Sequence, residues 1–80
     1  MWMSDCIIVV NRNNVDRNGI EDIAAAVREL GAVAQVDEQR FVIEATIPAD
    51  EIPTVSAMEG VTYVRCVFSY FSEKPPARTA

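Results

Sequence analysis

Two stretches of this chain are built on one plan: an apolar stripe at helical spacing, a glycine, then a run with the two-residue period of a strand. Leu30-Gly31-Ala32-Val33-Ala34-Gln35-Val36 closes the first, and Glu59-Gly60-Val61-Thr62-Tyr63-Val64 closes the second. Glycine enters the left-handed conformation that ends a helix without a steric penalty, so each glycine marks a change from helical to strand period. The first stripe is Ile20, Ile23, Ala24, Val27 and Leu30, with Glu21, Asp22, Arg28 and Glu29 largely outside it. Asn18 is the expected N-cap, with Glu21 three residues on. The second stripe is shorter: Ile52, Val55 and Met58, with Asp50 expected to cap it and Pro53 in a first turn that needs no N–H there.

Four strands complete the pattern. Residues 5–12 contain Cys6-Ile7-Ile8-Val9-Val10, apolar at both alternating sets, as in a central strand covered on two faces. Polarity does not separate the two sets, and Cys6, Ile8 and Val10 are assigned inward. Residues 32–37 and 40–47 form a hairpin across Asp37-Glu38-Gln39, with Phe41, Ile43 and Ala45 inward and Val42 and Glu44 outward. Pro48 is expected to break the third strand. Residues 61–71 make a long last strand, with Val64, Cys66 and Phe68 inward and Tyr63, Arg65 and Val67 outward. The order is strand, helix, strand, strand, helix, strand. Two such halves combine into an α+β, ferredoxin-like βαββαβ sandwich, a four-stranded antiparallel sheet with two helices on one face. One domain over residues 5–71 is expected, after a short segment at 1–4 and before a flexible or polyproline-like tail at 72–80 that carries Pro75-Pro76.

Composition narrows the function. Seven basic against twelve acidic residues give a net charge of −5, and the basic residues form no run, which argues against nucleic acid. No unbroken apolar run exceeds five residues, against about 20 for a helical span, so no membrane segment is expected. The first four residues do not resemble a secretory signal, and a cytoplasmic location is expected. Histidine is absent, which removes the commonest general base near neutral pH and the commonest transition-metal ligand. Neither an enzyme nor a cofactor or metal site is expected. Two cysteines sixty positions apart do not make a zinc site. They fall on neighbouring strands of the expected fold, where a disulfide is geometrically conceivable, and buried free thiols are the expectation.

The other polar features read as local structure. Asp50-Glu51 and Asp37-Glu38 are assigned to a helix start and a hairpin turn. The loop Asn11-Arg12-Asn13-Asn14 lacks the glycines that let a backbone wrap an anion. What remains is apolar surface. The open sheet face carries Ile7, Val9, Val42, Tyr63 and Val67, and Arg65, Phe68, Tyr70 and Phe71 continue along the last strand. A contiguous patch of this kind marks a contact surface, so a protein partner or a second copy, as a homodimer, is expected there.

From Ile52 to Val64 the sequence Ile52-Pro53-Thr54-Val55-Ser56-Ala57-Met58-Glu59-Gly60-Val61-Thr62-Tyr63-Val64 resembles the closing half of subtilisin propeptide-like protease inhibitor domains, in which a helix stop leads into a Val-x-Tyr-Val strand. The resemblance implies a ferredoxin-like domain that docks its open face, here Tyr63, Arg65 and Val67, on a subtilisin-type serine protease. It also implies a C-terminal segment, residues 68–73, laid in the protease cleft. Arg65-Cys66-Val67 stands where that family commonly carries acidic residues. An ACT-like domain regulated by a small ligand shares the strand and helix order and is the further alternative, its ligand near residues 11–19.

Overall fold

The computed structural model describes residues 1–73; residues 74–80, which hold most of the expected tail, lie outside the described residues. The chain runs through β1 (Trp2–Val10), α1 (Arg17–Glu29), β2 (Val33–Asp37), β3 (Val42–Pro48), a 3-10 turn (Ala49–Glu51), α2 (Ile52–Ser56) and β4 (Val61–Phe71). The strands form one sheet in the order β2-β3-β1-β4, every neighbouring pair antiparallel. This is an α+β fold of four antiparallel strands and two helices. Among the described residues no helix is long and apolar enough to cross a membrane.

The core follows from the two periodicities. Cys6, Ile8 and Val10 of β1 and Ile43, Ala45 and Ile47 of β3 point to the same face, where Ile20, Ile23, Ala24 and Val27 of α1 and Val55 of α2 join them in a single buried cluster. The even set of β1 is therefore the inward one. Ile8 is fully buried between its cross-strand partners Ile43 and Val64. Ile52, Met58, Val61 and Val64 pack at the margin of the cluster.

Gly31 directly follows Leu30, the C-cap of α1, as expected, but α2 ends at Ser56 with Ala57 as its C-cap, so Gly60 leads into β4 and does not close the helix. Gly31 and Gly60 have φ of 83° and 89°. At Gly60 a Cβ would also stand 2.7 Å from Val15 Cγ2 and 3.1 Å from Ile23 Cδ1, so both conformation and space require glycine. Its carbonyl accepts from Asn11 N–H at 2.8 Å, which ties the start of β4 to the end of β1.

Four local expectations are corrected. The first strand starts at Trp2 and ends at Val10 instead of spanning 5–12, because Met3 and Ser4 are paired to both β3 and β4. The cap of α1 is Asp16, whose Oδ1 accepts from Gly19 N–H at 2.8 Å, and not Asn18, which lies inside the helix. Asp50 does not cap α2; it lies in the 3-10 turn, and neither that turn nor α2 has a side-chain cap. Pro48 does not break β3 but is its last residue, paired with Met3. In the hairpin, Asp37 Oδ1 accepts from Gln39 and Arg40 N–H at 3.1 and 3.2 Å, and Phe41 leaves the turn with φ of 57°.

A chain of this size has a small margin of stability, so truncating the centre of its core should be severe. Ile8→Ala is expected to cost about 3 kcal/mol, whereas Ile7→Ala, half-buried on the opposite face, should cost about 1 kcal/mol or less. Urea unfolding of the two variants measures the difference. Equal losses would contradict the assignment of the even set to the core.

Candidate functional site

The face of the sheet away from the helices is built by the other alternation set. From β1 it carries Met3, Asp5, Ile7 and Val9; from β3, Val42, Glu44 and Thr46; and from β2, Val33 opposite Thr46. Ile7, Val9 and Val42 are half-buried at its centre, and Tyr63 and Arg65 of β4 lie opposite Val9 and Ile7. Asp5 is held on this face by Thr46, whose hydroxyl donates to Asp5 Oδ1 at 2.7 Å.

A β-bulge changes what β4 presents. Cys66 pairs with Cys6, but Phe68 pairs with Asp5, so Val67 is the extra residue. Beyond it the side chains of β4 exchange faces. Phe68 therefore lies on the open face, a correction to its inward assignment, while Val67 is 62% exposed at the bulge itself. Phe68 and Tyr70, two positions apart on one face, stack with ring centroids 6.0 Å apart. Phe71 falls on the other face and meets Trp2 edge-on at 5.6 Å. Trp2, Phe68 and Phe71 are 57%, 60% and 59% exposed, so the paired ends of β1 and β4 are aromatic on both faces. Trp2 belongs to this surface and was not singled out from the sequence, where Ser4 and Asp5 interrupt the apolar run that would have pointed to it.

The two edges of the sheet are not equivalent. β2 has five residues, and Arg28 of α1 reaches it, donating from Nε and an Nη to the Ala34 carbonyl at 3.1 and 2.9 Å. β4 has eleven residues, no proline and one charge, Arg65. Among the described residues no side chain hydrogen-bonds to its backbone. Short length, charge, proline, covering groups and bulges are what normally protect an edge; β4 has the bulge at Val67, a second register shift between Val61 and Tyr63, and the charge of Arg65, but neither short length nor proline.

Cys6 and Cys66 face each other across β1 and β4 with their sulfurs 3.5 Å apart. Both are free thiols; Cys6 is buried and Cys66 is exposed, which corrects the expectation that both are buried. Cys6 Sγ also lies 3.7 Å from the Ser4 carbonyl. Burial pushes the Cys6 thiol up to about 12 from its ordinary 9.0, and the neighbouring Cys66 and the Asp5 carboxylate push it the same way.

A shallow cleft of about 700 Å³ lies between the loop after β1 and the start of α1. Its side chains include Arg12 against Asp16, Asp22 and Glu59. The loop's N–H groups do not form an anion cradle: those of Asn14 and Val15 bond to the Asn11 carbonyl, that of Asn13 to Asn11 Oδ1, and that of Asn11 to Gly60. Among the described residues no three His, Cys, Asp or Glu side chains converge to hold a metal ion.

The Cys6 environment sets a pH dependence. Between about 9 and 12 the unfolded chain releases a thiol proton that the folded chain keeps. The contribution is thus fully present below the ordinary value and is lost as pH rises, by up to about 1.4 kcal/mol per pH unit. Under reducing conditions urea stability should decline more steeply above pH 9 in the native chain than in Cys6→Ala. Parallel declines would contradict it.

Comparison of the chain with protein-family models, with curated proteins and with solved structures finds no match.

Proposed function

We propose that this chain is a non-catalytic protein-interaction module of ferredoxin-like build, which docks a protein, a second copy or another chain, along β4 and the open sheet face. The ferredoxin-like reading is supported by the strand order β2-β3-β1-β4 and by the joining of both helices to one buried cluster with the inward strand residues. The observation that carries the interaction is β4: an eleven-residue edge strand that among the described residues pairs on one side only and exposes Tyr63, Val67, Phe68 and Phe71.

The chemistry of such docking is strand addition. The outer N–H and C=O groups of an edge strand pair with an incoming extended chain, and alternate side chains choose the partner. Tyr63, Phe68 and Tyr70 would supply that choice on the open face, with Ile7, Val9 and Val42 as the apolar floor. Aromatic side chains give large contact area with little rotamer entropy to lose, which suits them as anchors. The absence of histidine from the chain supports the non-catalytic reading.

Sedimentation and protein capture test this. The native chain should sediment above its monomer mass of 8.8 kDa or retain a protein partner, and the double variant Phe68→Lys, Tyr70→Lys should weaken that association at least about tenfold. Because both rings are exposed at the surface, the variant should melt close to the native chain. A native chain that stays at 8.8 kDa at its highest soluble concentration and retains no partner would overturn the proposal.

A further inference from the structure

The sulfurs of Cys6 and Cys66 stand 3.5 Å apart on directly opposed residues of β1 and β4, one thiol buried and the other exposed. We propose that this pair is a redox modification site: Cys66 accepts an oxidant from solvent, and Cys6 resolves it into an intramolecular disulfide that fastens the edge strand to the centre of the sheet.

Geometry supports the bond. Opposed residues of an antiparallel pair have Cα atoms about 4.5–5.5 Å apart, within the roughly 4.4–6.8 Å that disulfides span. An S–S bond is about 2.05 Å, so the sulfurs need to approach by about 1.5 Å, a displacement of side chains and not of strands.

Exposure decides the order of events. Attack on a small-molecule disulfide such as oxidised glutathione requires access, which Cys66 has and Cys6 lacks. The Cys66 sulfur bonds to one glutathione sulfur, the glutathione S–S bond breaks, and the first glutathione leaves as a thiol with the Cys66 proton. The Cys6 sulfur then bonds to Cys66, the mixed disulfide breaks, and the second glutathione leaves with the Cys6 proton. Two electrons pass from the two cysteines to one oxidised glutathione, and nothing else is consumed. The raised protonation of Cys6 keeps it from reacting first; in the second step it must give up its proton to attack, and the 3.5 Å separation supplies the proximity that offsets its low thiolate fraction. The cross-link spans sixty positions of chain, which restricts the unfolded state far more than the folded one. It does not depend on what docks at β4.

The test uses the full chain, reduced and then equilibrated with graded mixtures of reduced and oxidised glutathione, followed by acid quenching and intact mass measurement. The native chain should lose two hydrogens and retain no glutathione. Cys6→Ala should keep one glutathione on Cys66, and Cys66→Ala should take up none. In concentrated guanidinium chloride the equilibrium constant for intramolecular oxidation should fall at least about tenfold, because the fold no longer holds the sulfurs together. Oxidation should raise the melting temperature of the native chain by about 10 °C and leave both single variants unmoved. If Cys6→Ala fails to fold, the native chain's mass change and its denaturant dependence still decide the matter. A native chain that keeps a stable glutathione adduct, forms a Cys66-linked dimer, or shows the same oxidation equilibrium folded and unfolded would overturn the proposal.

Discussion

Strand β1 is bonded along both edges, to β3 on one side and β4 on the other, and it is apolar on both faces through its middle. That double demand organises the molecule. Its inward set, Cys6, Ile8 and Val10, can be kept from water only by both helices together, since α1 supplies Ile20, Ile23, Ala24 and Val27 while α2 supplies Val55. Its edges can be satisfied only by strands from distant parts of the chain. The connections are then fixed in kind: α1 ends abruptly at Gly31, and the turn that follows α2 enters β4 at Gly60, both through left-handed backbone. Ile8, without exposure and flanked by Ile43 and Val64, is where these requirements meet.

The same arrangement leaves the sheet unequal at its two sides. β2 is short, and the Arg28 guanidinium occupies its Ala34 carbonyl, so that side offers little to an incoming strand. β4 is longer than the helical layer needs. Near its start, Val61 and Val64 pack against the core. After the bulge at Val67, Phe68 and Tyr70 stack on one face and Phe71 meets Trp2 on the other. Aromatic pairs of this sort gain from mutual contact, but a ring that remains more than half exposed has most of its apolar area still available for burial. The surface ion pairs, Arg17 with Glu38 at 4.0 Å and Arg40 with Asp37 at 3.9 Å, lie elsewhere and contribute little at such exposure.

Much of this was legible from residue spacing. The α1 stripe, the hairpin and the span of β4 all follow from periodicity, because burial of one helix face or one strand face leaves a regular mark; the Gly31 stop was legible too, whereas α2 ends at Ser56, short of Gly60. Caps were less legible: Asp16 and Asn18 are both good N-caps, and only the bond from Gly19 N–H to Asp16 Oδ1 distinguishes them. The start of β1 was hidden by Ser4 and Asp5, two polar residues that the fold accommodates through the Ser69 hydroxyl, 2.9 Å from Ser4 Oγ, and through Thr46. The bulge left no mark at all. Cys66-Val67-Phe68 is apolar at every position, so a one-residue shift in face costs the pattern nothing, and Phe68 was assigned to the wrong side. The candidate surface was thus found as a strand but not as a set of faces.

The bulge is also where the thiol pair and the aromatic end of β4 meet. Cys66 is the last residue of β4 paired before the register shift, opposite Cys6, and Val67 is the extra residue that follows it. A covalent tie from Cys66 to Cys6 would fix the ladder on the core side of the bulge and leave the aromatic end, from Phe68 to Phe71, attached to a strand that can no longer slip or fray past that point. Slippage matters here because Cys66-Val67-Phe68 has no polar residue to mark a face, and a one-residue shift would exchange Phe68 and Tyr70 for Ser69 and Phe71 on the open face. The thiol pair is therefore placed where a single bond holds the orientation of every aromatic side chain that β4 presents beyond the bulge.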